Sequence, residues 1–595
     1  MTTTALKTRH SLAEFTQASL KLLPKLPQLV WYRQKLMGAR NEDIGSTGWY
    51  LQQQAQKRPD KLFLQYEDVR YSYAEFNQWV NQIAHKLSAS GVSEGDCVAV
   101  MFENSPELIA SVFAINKIGA IAGLINHKQT GAVLLHSFNT IQPKLILSDS
   151  ACHFAINFIA DELNPALGLH LWDDFAEDIA QYPSDNPALT DQIQLGAICY
   201  YVFTSGTTGL PKAAAVTHLK WYKAGLAFGR MALQLKSTDI QYCALPLYHN
   251  TGLSASISSI IQTGASLALA KSFSASRFWS DIKRYQATSF VYVGELCRYL
   301  LNQPPQQGER SHKVKSILGN GLRADIWEAF QERFGIDKIA EIYGASEGNA
   351  GFMNIFNLKR TVGFSPMSYA IVKFDTINEQ PIVDDNGLLQ RVKKGETGLL
   401  ITEVSAKAPY DGYTNNAKAS EKKLLHNVFK QGDCWFNSGD LVCDQGFRHI
   451  AFVDRVGDTY RWKSENVATG EVEAQVQSLK DVIEAVVYGV KVPFTEGRAG
   501  MVSVILEQGK KFNPSEFYQQ LKAKLPDYAV PLFVRLREAH ERTTTFKIKR
   551  TELQQEGFQL SSAAEPIFVL IDKAKGYQPL TPTTYERILS GEVRF

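Results

Sequence analysis

The chain has 595 residues, of which 45% are hydrophobic and 21% are charged, so it is a globular protein too long for one core and should form at least two domains. The formal net charge of +3 is close to neutral for this length and gives no support for nucleic-acid binding. The seven cysteines are scattered without a CxxC pair, which argues against a disulfide framework or a zinc site and favours the reducing cytoplasm.

The first 48 residues form a basic and apolar segment. Among the first 40, seven are Lys or Arg and only Glu14 is acidic, with leucines and Trp31 interleaved. Such a segment suits peripheral contact with an anionic membrane surface. Pro24 and Pro27 should interrupt any long helix there, so packing onto the adjacent domain is an equally good interpretation. No signal peptide pattern is visible, and we expect a cytoplasmic protein.

Helical and strand patterns alternate from residue 49 onward. Tyr73 to Ser90 and Pro106 to Ile118 predict helices, and Cys97 to Met101 predicts a strand. The most apolar stretch, 108–125, carries Lys117 in its middle, so it predicts a buried helix plus a strand and not a membrane span. Further strand patterns follow at 267–270, 290–293 and 316–318. This alternation predicts an α/β fold in which mixed or parallel sheets are flanked by helices.

A loop rich in Gly, Ser and Thr, TSGTTGLPK, follows the strand pattern at 199–203. Such a loop can direct successive backbone N–H groups and hydroxyls toward one anion. Its two glycines are three residues apart and Pro-Lys follows, which excludes a Walker P-loop. A plain flexible surface loop is the alternative, but the context favours polyphosphate binding. The expected phosphate-binding residues are Thr204, Ser205, Gly206, Thr207, Thr208, Gly209 and Lys212.

Five short polar motifs lie further along the chain, each expected at the carboxyl end of a strand. Taken singly, each is better explained as a turn or as a structural histidine. In an open α/β sheet, however, ligands bind at that edge. In this order after the Gly/Ser/Thr loop, the motifs favour a single nucleotide site. They are PLYHN at 246–250, GNG at 319–321, YGASEG at 343–348, FNSGD at 436–440 and DR at 454–455.

The residue types in these motifs match what a bound nucleotide needs. A base needs a flat aromatic face and close backbone approach, and ribose hydroxyls need a carboxylate, for which Asp440 is the candidate. The candidates for the base and its surroundings are Gly319, Asn320, Gly321, Tyr343, Gly344, Ala345 and Ser346.

Three further residues complete the expected site. Magnesium bound to triphosphate requires a hard oxygen ligand, and Glu347 suits that role. Arg455 can donate to the ribose or the α-phosphate. His249 is expected where a substrate carboxylate meets the nucleotide.

The sequence changes in character after about Arg455. Residues 482–490 and 501–506 predict two strands, and 514–525 predicts a helix. This content predicts a small α+β domain at 456–595, following a larger domain at 49–455. Gly457 supplies the backbone freedom of a hinge between them.

From about Trp49 to its C-terminus the chain resembles a known family. The TSGTTGLPK run is similar to the AMP-binding signature of acyl-adenylate-forming enzymes. YGASEGN at 343–349, DRVGDTYRW at 454–462 and YQPLT at 577–581 narrow the resemblance to the fatty-acid transport protein family of long- and very-long-chain acyl-CoA synthetases.

The resemblance implies a two-step reaction. A fatty acid and ATP give acyl-AMP and pyrophosphate; the smaller domain then swings about the hinge, and the coenzyme A thiol displaces AMP. It places Lys547 on the lysine that contacts the substrate carboxylate and the α-phosphate, where cations offset repulsion between two anions. Lys212 would share that work. It also implies a coenzyme A tunnel lined by Trp462, Lys463, Ser464 and Glu465.

The sequence departs from the family pattern at three positions. Ser464 stands where relatives usually have Gly, at the turn expected to approach pantetheine. Ser346 replaces the more usual Thr, and Thr544 occupies a position that is commonly Gly.

We therefore expect an AMP-forming long-chain fatty acid–CoA ligase that uses ATP, Mg²⁺ and coenzyme A. Three alternatives stay open: a CoA ligase for another hydrophobic carboxylate, such as a bile-acid, carnitine-like or aromatic acid; a fatty-acid-binding or uptake protein without catalysis; and an adenylation domain that loads a carrier protein. Loss of catalysis is disfavoured by the joint presence of five charged residues, Lys212, Glu347, Asp440, Arg455 and Lys547. A carrier-loading domain is disfavoured because we see no carrier module after the small domain in this sequence.

Overall fold

The computed structural model describes residues 7–164, 166–204, 211–344, 348–375, 380–405, 408–410, 412, 417–456, 460–462, 465–495, 497–542, 548–560, 565–593 and 595. The chain divides into two compact units. The larger comprises residues 11–365 and 405–424, and the smaller comprises 1–10, 366–404 and 425–595.

The larger unit contains the first fifteen strands, and they alternate with helices. They are β1 Leu62–Tyr66, β2 Val69–Ser72, β3 Cys97–Met101, β4 Ile121–Leu124, β5 Leu145–Ser148, β6 Gly168–Leu171, β7 Ile198–Thr204, β8 Lys212–Thr217, β9 Ile240–Cys243, β10 Ser266–Leu269, β11 Ser289–Val293, β12 Ser316–Asn320, β13 Lys338–Gly344, β14 Gly351–Met353 and β15 Gly363–Phe364.

The α-helices of this unit are α1 Leu12–Leu22, α2 Leu26–Gly38, α3 Thr47–Lys57, α4 Tyr73–Ala89, α5 Pro106–Lys117, α6 Gly131–Ile141, α7 Ser150–Asn157, α8 Trp172–Ala176, α9 His218–Gly225, α10 Ser258–Thr263, α11 Phe278–Arg284, α12 Gly294–Asn302, α13 Trp327–Phe334 and α14 Ala417–Glu421. Two π-helical stretches, Leu226–Leu233 and Thr251–Ile257, precede α10.

Two sheets organise the larger unit. One has the order β6-β5-β3-β4-β7-β8 and is parallel apart from the β7/β8 pair. The other runs β15-β14-β13-β12-β11-β9-β10-β1-β2, and its strands from β13 to β1 are parallel. The mixed and parallel sheets predicted from the alternating patterns are therefore present.

Local sequence explains why the first elements form where they do. Strand β3 is buried along its whole length, as expected for an apolar run in a parallel sheet. Helix α4 begins after Ser72, whose hydroxyl accepts from the Glu75 N–H while the Glu75 carboxylate accepts from the Ser72 N–H, forming a capping box. Helix α5 has Pro106 in its first turn, where a missing N–H is harmless.

The N-terminal segment forms two helices and not one. Pro24 lies in the 3₁₀ turn Leu23–Lys25 that separates α1 from α2, and Pro27 lies in the first turn of α2. The predicted interruption is therefore present. Leu29 and Tyr32 are buried, and the Arg230 guanidinium lies 5.6 Å from the Tyr32 ring centroid, so one side of α2 packs onto the larger unit.

The smaller unit contains the remaining elements. Its strands are β16 Tyr369–Val372, β17 Phe374–Asp375, β18 Gln380–Pro381, β19 Thr397–Glu403, β20 Leu424–His426, β21 Cys434–Gly446, β22 His449–Arg455, β23 Tyr460–Trp462, β24 Glu465–Val467, β25 Val482–Val490, β26 Ala499–Leu506, β27 Phe533–Leu536, β28 Ile567–Val569 and β29 Gln578–Pro579. Its helices are α15 Thr469–Gln477, α16 Pro514–Lys524, α17 Arg550–Glu556 and α18 Pro582–Leu589.

Two sheet arrangements make up most of this unit. Strands β16, β19, β21 and β22 are antiparallel neighbours in that order. Strands β25 to β29 form a five-stranded sheet in chain order, whose apolar residues pack with α15 to α18 in a separate core. The strand and helix patterns at 482–490, 501–506 and 514–525 are confirmed to within two residues.

One expectation about a strand end is wrong. The FNSGD motif at 436–440 lies in the interior of β21, which has 13 residues, and not at a carboxyl end. The apolar residues on both sides of the motif pair with β19, so the strand continues through it. Gly439, with φ of +75°, and a register shift between Leu441 and Val442 accommodate the irregularity as a bulge does.

Candidate active site

In the larger unit, three of the predicted motifs meet at one edge of a sheet. Strands β9, β11, β12 and β13 are parallel neighbours, with Val293 opposite Asn320 and Gly319 opposite Glu341. Their carboxyl ends therefore point the same way. This places PLYHN after β9, GNG at the end of β12, and Tyr343 with Gly344 at the end of β13, as expected for a ligand-binding edge.

The GNG turn is packed so closely that only glycine fits. A Cβ on Gly319 would lie 2.2 Å from the Tyr292 carbonyl oxygen, and a Cβ on Gly294 would lie 1.7 Å from the Gly321 oxygen. Gly321 has a φ of +83°, which disfavours L side chains. The sequence predicted close backbone approach here; the neighbours that require it are Tyr292 and the start of α12.

A buried carboxyl group supports this turn from within the sheet. Glu341 is 1% exposed, and its Oε1 accepts the Leu322 N–H at 3.0 Å while the Tyr292 hydroxyl donates to Oε2. Burial raises the pKa of Glu341 to about 8, against the lowering effect of these hydrogen bonds. Sequence reasoning missed this residue, although an acidic residue inside the apolar run 339–342 was a signal.

The segment that carries His249 is attached to both sheets. The His249 N–H donates to the Pro246 oxygen at 3.2 Å, and its ring lies 4.5 Å from that of Tyr248. The Tyr200 hydroxyl, on β7, donates to Asn250 Oδ1 at 3.1 Å. Thr251 Oγ1 donates to Asn320 Oδ1 at 3.3 Å. These two bonds connect the histidine segment with the GNG turn and with the strand that precedes the Gly/Ser/Thr loop.

Strands β7 and β8 flank the predicted phosphate loop. Thr204 ends β7 and pairs with Lys212, which begins β8. Pro211 precedes that strand, and its oxygen lies 3.0 Å from His136 Nε2. The remaining predicted loop residues lie outside the described residues: Ser205, Gly206, Thr207, Thr208 and Gly209.

Tyr343 and Gly344 end β13 and pair with β14. Tyr343 lies opposite Phe352, with their ring centroids 5.9 Å apart, and Gly344 lies opposite Gly351. Among the described residues, the atom nearest to a Cβ on Gly344 would lie 3.9 Å away, so their packing does not require glycine there. Ala345, Ser346 and Glu347 lie outside the described residues.

In the smaller unit, two predicted nucleotide-binding residues face each other across a strand pair. Asp440 on β21 lies opposite Arg455 on β22, and Arg455 Nε is 3.2 Å from Asp440 Oδ1. The Asp440 N–H donates to Ser438 Oγ at 3.1 Å, and that hydroxyl donates to the Leu400 oxygen at 2.7 Å. The bulge thus fixes the backbone of Asp440 and directs its side chain toward Arg455.

Asp454, beside Arg455, has a structural role. Its Oδ2 accepts hydrogen bonds from the Thr469 N–H at 3.0 Å and from the Thr469 hydroxyl at 2.9 Å. Thr469 begins α15, so the carboxylate satisfies donors at a helix N-terminus. This bond explains the aspartate of the DR motif without a ligand.

Two of the four predicted coenzyme A tunnel residues, Trp462 and Glu465, lie on paired strands. Trp462 is 6% exposed and ends β23, which pairs antiparallel with β24 so that Trp462 lies opposite Glu465. Lys463, Ser464, the hinge candidate Gly457 and the catalytic candidate Lys547 lie outside the described residues.

Among the residues that the structure describes, no group of three or more His, Cys, Asp and Glu side chains could hold a metal ion. Within the same residues, no helix combines the length and apolarity needed to cross a membrane. The one predicted magnesium ligand, Glu347, is not among them.

The chain is similar to proteins of known family. A model of the AMP-binding enzyme family matches residues 51–403, and a model of the AMP-binding enzyme C-terminal domain matches residues 471–547. The medium/long-chain-fatty-acid–CoA ligase FadD6 of Mycobacterium tuberculosis is 44% identical over 91% of this chain and 90% of its own length. Long-chain fatty acid transport protein 6 of Mus musculus is 39% identical over 90% of this chain and 89% of its own length.

A solved structure supports the fold. The crystal structure of the anthranilate CoA ligase AuaEII in complex with anthranoyl-AMP has a TM-score of 0.73 to this chain, at 21% identity, and the match covers 86% of this chain and 97% of that one. The predicted α/β fold, with a larger N-terminal and a smaller C-terminal domain, and the predicted resemblance are both confirmed. The AMP-binding enzyme family model matches more than half of this chain. The chain therefore belongs to the AMP-binding enzyme family.

Proposed function

We propose that the protein is a long-chain fatty acid–CoA ligase. It activates a fatty acid with ATP to acyl-AMP and pyrophosphate and transfers the acyl group to coenzyme A with release of AMP. The observation that carries the proposal is the 44% identity, over 91% of the chain, to a protein named as a medium/long-chain-fatty-acid–CoA ligase. The assembly of GNG, PLYHN and Tyr343 at one sheet edge supports it.

In the first step, a carboxylate oxygen attacks the α-phosphorus of ATP and pyrophosphate leaves. Both reactants are anions, so cations must offset their repulsion. We assign that role to Lys212 and Lys547, and place His249 beside the substrate carboxylate. Residues 204–209 would hold the phosphates through backbone N–H groups and hydroxyls.

The rest of the nucleotide would be held by the other motif residues. The GNG turn and Tyr343 would contact the base, with Gly344, Ala345 and Ser346 next to it, and Asp440 would accept hydrogen bonds from the ribose hydroxyls. Arg455 would orient Asp440 and donate to the ribose or the α-phosphate. Glu347 would supply an oxygen ligand to Mg²⁺ on the phosphates.

In the second step, the coenzyme A sulfur attacks the acyl carbon and AMP leaves. The proposed division into an adenylation domain at 49–455 and a smaller domain at 456–595, with Gly457 as hinge, assigns this step to a second arrangement of the domains. Trp462, Lys463, Ser464 and Glu465 would line the thiol path.

The acid is tested by product analysis. The protein is incubated with ATP, Mg²⁺ and coenzyme A and with octanoate, palmitate, lignocerate, cholate, carnitine or benzoate separately, and acyl-CoA is measured by mass spectrometry. Palmitoyl-CoA in clear excess over the last three products is expected. A dominant cholate or benzoate product would identify a ligase for another hydrophobic acid, and no product from any acid would favour a binding or uptake protein.

We also propose that α1 and α2 lie on the cytoplasmic face of a membrane that contains anionic lipid. Leu12 is 68% exposed and Trp31 is 48% exposed, although buried Leu29 and Tyr32 already attach α2 to the larger unit. Lys21, Arg33 and Lys35 of the same helices are also exposed, and a surface with both basic and apolar side chains suits anionic lipid. The other exposed large apolar residues of the segment 12–38 are Leu20, Leu23, Leu26, Val30 and Met37.

Sedimentation with vesicles tests this surface. The protein should cosediment at low salt with mixed vesicles of phosphatidylserine and phosphatidylcholine. Much less protein should cosediment with vesicles of pure phosphatidylcholine. The variant Leu23→Ser with Trp31→Ser should lose most of the binding, while Val69→Ser, an exposed apolar residue of β2, should not. Equal binding to both kinds of vesicle would contradict the electrostatic part of the proposal.

A further inference from the structure

The smaller unit contains a buried polar network that the proposed reaction does not use. Glu484 on β25 is 3% exposed, and Ser503 on β26 and His540 are also buried. His540 Nδ1 lies 2.9 Å from Glu484 Oε2, and His540 Nε2 lies 2.8 Å from Ser503 Oγ. The Arg542 guanidinium donates to the other oxygen, Glu484 Oε1.

The order Ser, His, Glu resembles a hydrolytic triad, but the environment excludes that role. Ser503 has no exposed surface, and its strand is paired on both sides, with β25 and with β27. A nucleophile must reach a substrate carbonyl. This hydroxyl cannot, so the network acts within the protein.

Stability alone does not explain a buried carboxylate with charged partners, because apolar residues of similar volume often stabilise a fold equally well. What a fully paired polar network supplies is a single, well-defined arrangement of the groups it joins. Here one carboxylate binds His540 and Arg542, two residues apart in the chain. The network therefore fixes residues 540–542 against β25 and β26.

The described residues that precede and follow 543–547 are joined to each other. Arg542 and Ile548 form an isolated antiparallel bridge, and the Lys549 N–H donates to the Glu541 oxygen at 3.0 Å. On the return side, the Arg550 guanidinium donates to Glu473 Oε1 at 2.6 Å. Both ends of the segment 543–547 are thus tied to the sheet and to α15, and Lys547 is the residue next to the bridge.

We propose that Glu484 and His540 are positioning residues for the adenylation step. They fix the described residues on both sides of 543–547, the segment that carries Lys547, and they contact neither substrate. The inference rests on the proposed role of Lys547. A displacement of about 1 Å in such a group can slow a reaction by about a hundredfold.

The test separates the two half-reactions in the full chain. Adenylation is measured as fatty-acid-dependent exchange of pyrophosphate into ATP, and thioester formation is measured as consumption of supplied palmitoyl-AMP with coenzyme A. Glu484→Gln and His540→Leu should slow the exchange at least about tenfold and leave thioester formation within about twofold. Retained thioester formation in the same sample shows that these variants are folded.

Two further variants complete the design. Glu565→Gln is the matched control, because Glu565 also pairs with arginines in this unit, Arg535 at 3.2 Å and Arg537 at 3.1 Å, and should change neither half-reaction. Ser503→Ala removes only one hydrogen bond, so the inference can still be tested with it if Glu484→Gln and His540→Leu fail to fold. It should slow pyrophosphate exchange by a smaller factor and leave thioester formation unchanged.

The outcomes are distinguishable. An equal loss of both half-reactions in Glu484→Gln and Ser503→Ala would show a purely structural network and overturn the inference. Lys547→Ala should abolish exchange; if it does while Glu484→Gln and His540→Leu exchange normally, the inference fails and the proposed function stands. If Lys547→Ala itself exchanges normally, the proposed role of that lysine fails first.

Discussion

Asp440 and Arg455 lie opposite each other on adjacent strands of the smaller unit, with 3.2 Å between Asp440 Oδ1 and Arg455 Nε. The two side chains differ in exposure: that of Asp440 is 8% exposed and that of Arg455 is 56% exposed. The bulge at Gly439 and the hydrogen bond to Ser438 hold the aspartate in place. Under the proposed function, this fixed carboxylate accepts hydrogen bonds from the ribose hydroxyls, while its partner remains open to solvent.

Asp440→Asn should therefore impair ATP binding much more than folding. Loss of charge-assisted hydrogen bonds to the ribose, each about 1.5–3 kcal/mol, should lower kcat/KM for ATP by about ten- to a hundredfold. The apparent Tm should change little, because a pair with an exposed partner contributes about 0–1 kcal/mol. Steady-state kinetics with ATP varied and thermal unfolding measure the two effects; an unchanged kcat/KM would remove Asp440 from the nucleotide site.

A matched pair of glycine substitutions tests the GNG turn. Gly319→Ala would place a Cβ 2.2 Å from the Tyr292 oxygen, whereas a Cβ at Gly344 would lie 3.9 Å from the nearest atom of the described residues. We expect Gly319→Ala to lower the Tm by several degrees and to raise KM for ATP, because the turn must shift. Gly344→Ala should keep the Tm of the parent protein. Its KM for ATP reports whether a ligand approaches Gly344; equal Tm values for both variants would contradict the packing described for the turn.

Glu341 should make stability depend on pH. Its pKa is raised from 4.5 to about 8 by burial. Between these two pH values, the folded state therefore retains a proton that the unfolded state releases. The resulting stabilisation is complete below pH 4.5 and is lost as pH rises toward 8, at about 1.4 kcal/mol per pH unit. Glu341→Gln has no carboxyl group to ionise and lacks this loss. Between pH 5.5 and 7.5, the free energy of unfolding measured with urea should therefore fall less for the variant than for the parent protein. A constant difference between the two proteins would indicate that Glu341 is ionised when folded.

The sequence predicted those elements whose signals are local. The apolar run Cys97–Met101, the capping box at Ser72 and the proline at the start of α5 each determine an element from adjacent residues. The GNG turn was predicted from residue type alone. Its packing partner Tyr292 was not, since that contact joins distant parts of the chain.

The features that were missed depend on long-range partners. Nothing near FNSGD shows that β19 pairs on both sides of it, so its place inside β21 was not predicted. Glu341 and Glu484 look like ordinary strand residues until Tyr292, Leu322, His540 and Arg542 are brought to them by the fold. Candidate site residues such as Asp440 and Lys212 could be selected because adenylate chemistry requires their charge, whereas supporting residues have no such requirement.

Ser464 offers a test of the proposed thiol path. Its Cβ and hydroxyl stand where the resemblance implies glycine, at a turn expected to approach pantetheine. Ser464→Gly should therefore leave thioester formation from supplied palmitoyl-AMP unchanged or faster, with pyrophosphate exchange unaffected. A large slowing of thioester formation would contradict the proposed position of Ser464, because removal of a side chain that only takes up space beside pantetheine should not slow the step.

The most direct test of the account is AMP release from ATP, measured with palmitate alone, with coenzyme A alone and with both. A ligase that works through acyl-AMP should release AMP in repeated turnovers only when both are present. With palmitate alone it should release pyrophosphate in a burst of about one equivalent per protein. Multiple-turnover AMP release without coenzyme A, or no AMP release with any fatty acid, would contradict the proposed function.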